Sequence, residues 1–277
     1  MKDALIISAL SLVPKHAVAG WMGAFARLSL PRPLRRLLLR WYVWKYDVDL
    51  SECVGTLDDF PTLVAFFTRA LKPGVRPVDM AVDSIVAPCD GRVYAVGTVT
   101  DDKIPQSESQ YFSAKELLAG KDGYEGGQYA VIYLSPRDYH RVHTPRECTV
   151  RRFQYVPGAL WPVFPAATRK ISFLFSRNER LAAFLDTDCG EVAEVLVGAF
   201  GVGRMRVVFD DVVTNTGAKD ILAKDVVPPC SLGRAEEIGR FEMGSTVVLL
   251  FPPGRVRGTA VAGSFVKLGA KIGERNT

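Results

Sequence analysis

The chain is predicted to be an α+β protein: a mostly antiparallel β core preceded by N-terminal amphipathic, membrane-associating helices. Two observations predict this. Apolar residues recur at helical spacing through residues 3–45, and beyond Ser84 the pattern changes to short, roughly alternating apolar runs separated by Gly, Pro and Asp turns. At 277 residues the chain is long enough to bury a full core. The expected division is a helical segment over 1–46 and a β-rich domain over 47–277.

Taken in order, the helical stretch is broken at Pro14 and at Pro31-Arg32-Pro33, because proline removes a backbone donor and clashes with the preceding turn. A further helix is expected from Leu57 to Leu71, stopping at Lys72-Pro73-Gly74. Strands are expected at 91–99, 128–134, 147–156, 180–186, 191–200, 203–209 and 245–251. The turn Asp186-Thr187-Asp188-Cys189-Gly190 should join two of them as a hairpin. Ser113-Ala114-Lys115-Glu116 has the spacing of a capping box and should open a short helix ending at Gly120. Arg234 to Gly239 reads as a polar link before the strand that begins at Ser245.

Charge placement says more than the net charge of +5. Residues 1–46 carry Lys2, Lys15, Arg27, Arg32, Arg35, Arg36, Arg40 and Lys45 against Asp3 alone, interleaved with Trp21, Phe25, Trp41 and Trp44. Basic residues beside Trp and Leu faces point to helices lying in the interface of an anionic membrane surface. The same cations could serve nucleic acid, but the apolar aromatic face favours lipid, and no nucleic acid is expected. Ala4 to Val13 is too short to cross a bilayer, which takes roughly 20 apolar residues. It imitates a secretory signal, yet Pro14, Lys15 and His16 interrupt it, so cleavage is not expected. The five cysteines are scattered with no Cys-x-x-Cys, which suits a reducing compartment. A peripheral protein on the cytoplasmic face of the cell membrane is the expected location.

Three places can carry chemistry. Gly244-Ser245-Thr246 opens the apolar run Thr246 to Phe251. Before a strand such a tripeptide is usually a turn. A glycine, with no Cβ, also leaves its carbonyl open to attack by the hydroxyl of the next residue. His140 and His143 lie in Ser135-Pro136-Arg137-Asp138-Tyr139-His140-Arg141-Val142-His143. Ser135-Pro136 with Asp138 resembles a helix N-cap, and an offset of three across one helical turn can aim both imidazoles into one site. In a continuous strand the same offset sends them to opposite faces. No third His or Cys follows at ligand spacing, so no metal is expected. Asp90, in Ala87-Pro88-Cys89-Asp90-Gly91, is either a turn residue or a carboxylate that orients a histidine. A serine hydrolase built on the same residues lacks the Gly-x-Ser-x-Gly elbow, because Val247 and Val248 follow Thr246. A lipoyl-type carrier module lacks the exposed lysine hairpin.

Six blocks in order and register resemble the phosphatidylserine decarboxylase family: Phe66 to Pro77, Ala87 to Gly91, Tyr133 to Pro145, Tyr155 to Gly158, Phe175 to Arg180, and Gly244 to Thr246 with Phe251 to Gly254. Met243 departs from the usual Leu, and Leu160-Trp161-Pro162-Val163 departs from the family pattern. The resemblance implies a proenzyme cut between Gly244 and Ser245 into a β chain (1–244) and an α chain (245–277). His143, held by Asp90, would activate Ser245, which becomes a covalent pyruvoyl group. Phosphatidylserine would form a Schiff base with it, lose CO2, and be released as phosphatidylethanolamine. His140 is the expected proton donor, as a general acid of near-neutral pKa. The expected partners are phosphatidylserine, an anionic membrane surface, the two chains of one precursor, and a second copy of the chain.

Overall fold

The computed structural model describes residues 15–163, 165–201, 204–242 and 245–276; of residues 15, 165, 166 and 245 it describes the backbone alone. The apolar run Ala4 to Val13 and the cleavage-site residue Gly244 lie outside the described residues.

The first described elements are α1 (Lys15–Arg27) and α2 (Arg32–Tyr46), the second starting directly after Pro31. The helix expected over 57–71 is instead a 3-10 turn (Leu57–Asp59) and a short α3 (Leu63–Phe67). Pro61 separates them, and Thr62 caps the second piece by accepting from the Ala65 N–H. These helices share a small core of Leu39, Tyr42, Leu63, Phe66 and Phe67.

The β domain is built on an eight-stranded antiparallel sheet. Its members are β2 (Gly91–Thr98), β5 (Gln128–Leu134), β7 (Cys148–Val156), β8 (Arg180–Thr187), β9 (Gly190–Val197), β11 (Leu222–Leu232), β13 (Ser245–Leu250) and β15 (Phe265–Val266). The spatial order is β11-β7-β8-β9-β13-β5-β2-β15. β13 therefore runs between β5 and β9. Val247 and Leu249 face one apolar cluster, Val248 and Leu250 the other, and all four are fully buried. Period-two alternation across a sheet covered on both faces explains the unbroken apolar run.

One face is covered by two three-stranded sheets. The first joins β1 (Ser84–Val86), β16 (Lys271–Arg275) and β14 (Val256–Gly258); the second joins β10 (Met205–Val207), β12 (Glu237–Phe241) and β6 (Arg141–His143). The other face is covered by the hairpin β3 (Lys103–Pro105) and β4 (Tyr111–Ser113), with α4 (Ala114–Leu117), α5 (Pro165–Lys170) and α6 (Leu174–Arg177).

The expected hairpin is present, with Thr187 paired to Gly190. Ser113 caps α4 by accepting from the Glu116 N–H at 2.9 Å. Three readings need correction. Arg234 to Gly239 is not simply a link, because β12 starts at Glu237 and pairs with β6 and β10. β11 was hidden by Pro228-Pro229, which sit in an irregularity of an edge strand where no partner needs their N–H. Ser135 to Asp138 forms one hydrogen-bonded turn rather than a helical turn, because Arg141 already belongs to β6.

Candidate active site

Antiparallel pairing brings the sequence blocks to one end of the large sheet. The register sets Arg92 beside Tyr133, Ser245 beside Leu134, Thr246 beside Val197, Arg180 beside Val197 and Val156 beside Arg180. The starts of β2, β8 and β13 thus meet the ends of β5, β7 and β9. Gly91 is required there: a Cβ would stand 2.6 Å from the Tyr133 carbonyl oxygen.

Asp90, just before β2, is buried. It accepts a two-point ion pair from Arg76, with Nε to Oδ1 at 2.9 Å, and a hydrogen bond from the Leu268 N–H at 2.8 Å. Arg76 also donates to Glu52, whose carboxyl that contact holds down at about 2.

His143 ends β6, and its N–H donates to the Pro88 carbonyl at 2.8 Å, which brings it to the Asp90 loop. Its imidazole engages other groups. Nδ1–H donates to the Ala235 carbonyl at 2.9 Å, so Nε2 carries the lone pair and accepts from the Tyr139 hydroxyl at 3.1 Å. Asp90 therefore acts on His143 through space and not by a hydrogen bond. Burial lowers the basicity of His143, and the Ala235 carbonyl partly opposes that.

His140 precedes β6 and His143 ends it, and the two rings have different neighbours. His140 is fully buried and stacks on Phe67 with ring centroids 3.9 Å apart. Its Nδ1–H donates to the Asp138 carbonyl at 2.8 Å, while Nε2 is buried with no hydrogen-bond partner among the described residues. Burial pushes its pKa down to about 3. The free protein thus holds a neutral imidazole there, not the near-neutral acid expected of it.

The turn feeding this segment is tight. The Ser135 N–H and hydroxyl both donate to Asp138 Oδ2 at 2.7 Å. Arg69, itself buried, donates to the Arg137 carbonyl at 2.8 Å, and Tyr42 of α2 donates to the Pro136 carbonyl at 2.8 Å. Arg141 is spoken for by Glu237 at 2.8 Å and the Thr68 carbonyl at 3.0 Å. Just before β8, Asn178 stitches the Trp161 and Gly198 loops together. Buried Glu179 accepts from Tyr155 at 2.7 Å, and burial raises its pKa.

Ser245 is the first residue of β13 and pairs with Leu134, one residue before the Ser135 turn. Among the described residues no group of three or more His, Cys, Asp and Glu is placed to hold a metal ion. Sequence reasoning quoted Arg76, Arg69 and Tyr139 only inside motif blocks and assigned them no role. An arginine two residues after Lys-Pro-Gly carries no local signal of an ion pair to Asp90. Tyr139 at i−4 from His143 was the readable hint.

Fold and site together define a class: a β-sheet protein that gathers an aspartate, a buried histidine whose lone pair meets a tyrosine hydroxyl, and the head of a serine-led buried strand at one sheet end. Comparison with known proteins narrows it. The phosphatidylserine decarboxylase family profile matches residues 63–274, and the chain belongs to that family. It is similar to the phosphatidylserine decarboxylase proenzyme of Myxococcus xanthus (strain DK1622), 39% identical over 280 residues that cover 99% of each chain. The proenzyme of Anaeromyxobacter sp. (strain K) is 41% identical over 262 residues, 93% of each chain. That of Marinobacter nauticus is 37% identical over 287 residues, 100% of this chain and 99% of the relative.

Proposed function

We propose that this decarboxylase is made as a proenzyme, cuts itself between Gly244 and Ser245, and converts phosphatidylserine to phosphatidylethanolamine with the pyruvoyl group so formed. The observation that carries the reading is the register of β13. Ser245 opens a strand paired on both sides, next to the turn that leads into His140 and His143.

A pyruvoyl group at residue 245 fits this frame. Its α chain of 33 residues (277 minus 244) contains β13, β14, β15 and β16, each paired with other strands of the protein. Burial of Val247 to Leu250 contributes about 1.5–3 kcal/mol per side chain toward keeping the severed chain in place.

In the self-cleavage we assign to it, His143 Nε2 accepts the Ser245 hydroxyl proton, and Tyr139 yields that lone pair or relays the proton. The serine oxygen bonds to the Gly244 carbonyl carbon, the carbon–nitrogen bond breaks, and the freed amine takes up the proton. Loss of the residue 245 Cα proton then expels Gly244 as a carboxylate. Water replaces the resulting enamine nitrogen, which leaves as ammonia. The group supplies an electrophilic carbonyl that captures the substrate amine and takes up the electrons left by CO2. His140 holds its Nε2 lone pair buried and unpartnered. Contact with the anionic headgroup would raise its basicity and let it carry the proton that replaces CO2.

The helices support a membrane-surface role. Trp21 and Phe25 of α1, Leu28 just after it, and Leu34, Leu37, Trp41 and Trp44 of α2 are all exposed, beside Arg36 and Arg40. Among the described residues no helix is long and apolar enough to cross a membrane. We assign this face to the interface of an anionic leaflet.

Intact mass of the purified protein tests the central step. Two fragments, 1–244 and an α chain of 33 residues (277 minus 244) blocked at its N-terminus, are expected. A single stable 30.4 kDa chain would overturn the proposal.

A further inference from the structure

Glu242 lies two residues before Gly244 and is buried. Three guanidinium groups face its carboxylate. Arg27 of α1 reaches Oε2 at 3.0 Å, Arg206 of β10 reaches Oε1 at 2.9 Å, and Arg204 stands 3.9 Å from Oε2, an ion pair without a hydrogen bond. Arg204 is also a backbone neighbour, since its carbonyl accepts from the Glu242 N–H at 2.9 Å. Its Nε is buried and has no hydrogen-bond partner.

Among the described residues three positive charges therefore meet one negative charge, and each Glu242 oxygen is already engaged by another arginine. The Arg204 side chain is 31% exposed, but its Nε donor is buried; a buried donor left unmatched is costly, and guanidinium groups match carboxylates best. The site has room in its charge balance for a second carboxylate. The self-cleavage proposed above, on which this inference rests, makes one at Gly244. Two residues span at most about 7 Å, so that carboxylate is formed within reach of the cluster.

We propose that Arg204, with Arg27 and Arg206, is the dock for the Gly244 carboxylate of the cut β chain. Docking has two consequences. The arginines stabilise the carboxylate as it takes the electron pair of the breaking bond to the residue 245 side chain, which favours the elimination that completes maturation. They also hold the cut end away from the new carbonyl, so that it does not compete with the anionic headgroup of the substrate. Because Arg27 belongs to α1, the dock ties the cut end to the N-terminal helices.

Carboxypeptidase trimming of the matured, folded protein at neutral pH tests this, read as the mass of the β chain. In the wild-type protein the β chain should keep Gly244. In Arg204→Met trimming should be at least tenfold faster, and Arg204→Lys, which keeps the charge, should fall between. Wild-type trimming as fast as that of the denatured β chain would overturn the dock. So would equal protection in Arg204→Met, including the case where that variant instead raises KM for phosphatidylserine and so assigns the cluster to the lipid headgroup. In these cases cleavage itself stands. A chain that stays at 30.4 kDa removes the dock together with the self-cleavage beneath it.

Discussion

Tyr139 places its hydroxyl proton on the one histidine nitrogen that the proposed cleavage needs. The hydrogen bond to His143 Nε2 stabilises the neutral ring, and burial does the same. Asp90 and Glu237 push the other way, while Arg141 opposes them. With the balance downward, His143 is a free base from below its ordinary pKa of about 6.5. Cleavage rate should rise with pH through a point below that value and then level off. Tyr139→Phe removes the donor and should move the inflection upward, read from precursor decay at a series of pH values. An unmoved inflection would show that the tyrosine packs without acting on the base. Ser245→Ala should leave precursor only and no CO2 release. His140→Ala should mature normally yet lose on the order of 100-fold or more in decarboxylation; a normal rate of CO2 release would remove His140 from the chemistry.

At the scale of elements, the Asp90 loop depends on a cation delivered from the segment after α3. Arg76 and Asp90 side chains are 7% and 5% exposed. Removing one member of such a pair leaves an uncompensated charge, a loss of about 3–5 kcal/mol. Arg76→Met should therefore lower the urea midpoint markedly and slow maturation, whereas the exposed pair Arg151–Asp186 should be worth about 0–1 kcal/mol. The exposed faces of α1 and α2 make a separate prediction. Trp21→Ser with Trp44→Ser should weaken sedimentation with anionic vesicles by about tenfold, since each ring removes large interfacial area. Unchanged sedimentation would assign that face elsewhere.

At the scale of the whole molecule, the described part of the sheet core holds a carboxyl group with no hydrogen-bond partner. Glu194 of β9 is fully buried, both its oxygens lack hydrogen bonds, and burial raises its pKa well above the ordinary value. It is neutral in folded and unfolded chains below about pH 4.3. As pH rises above that, the unfolded chain ionises while the folded one must stay protonated, so stability falls by about 1.4 kcal/mol per pH unit until the folded pKa is reached. Glu194→Gln should abolish that slope. Urea unfolding at pH 5 and pH 8 measures it, and equal slopes in both proteins would mean Glu194 ionises in place.

The residues that would do the chemistry, the N-terminal helices and the β8–β9 hairpin were legible because each is a local pattern: a spacing, a turn, a period of 3.6 or 2. Sequence alone determined that Asp90, His140, His143 and Ser245 belong to motif blocks, and that Val247 to Leu250 form a buried strand. Tertiary structure alone decided that β13 lies between β5 and β9, that Arg76 rather than His143 holds Asp90, and that His140 is sealed against Phe67 as a neutral ring. The reason is physical. Strand order, ion-pair choice and burial depend on groups far apart in the chain, and any of several cations or rings could have met the same requirement until packing on both sheet faces selected one.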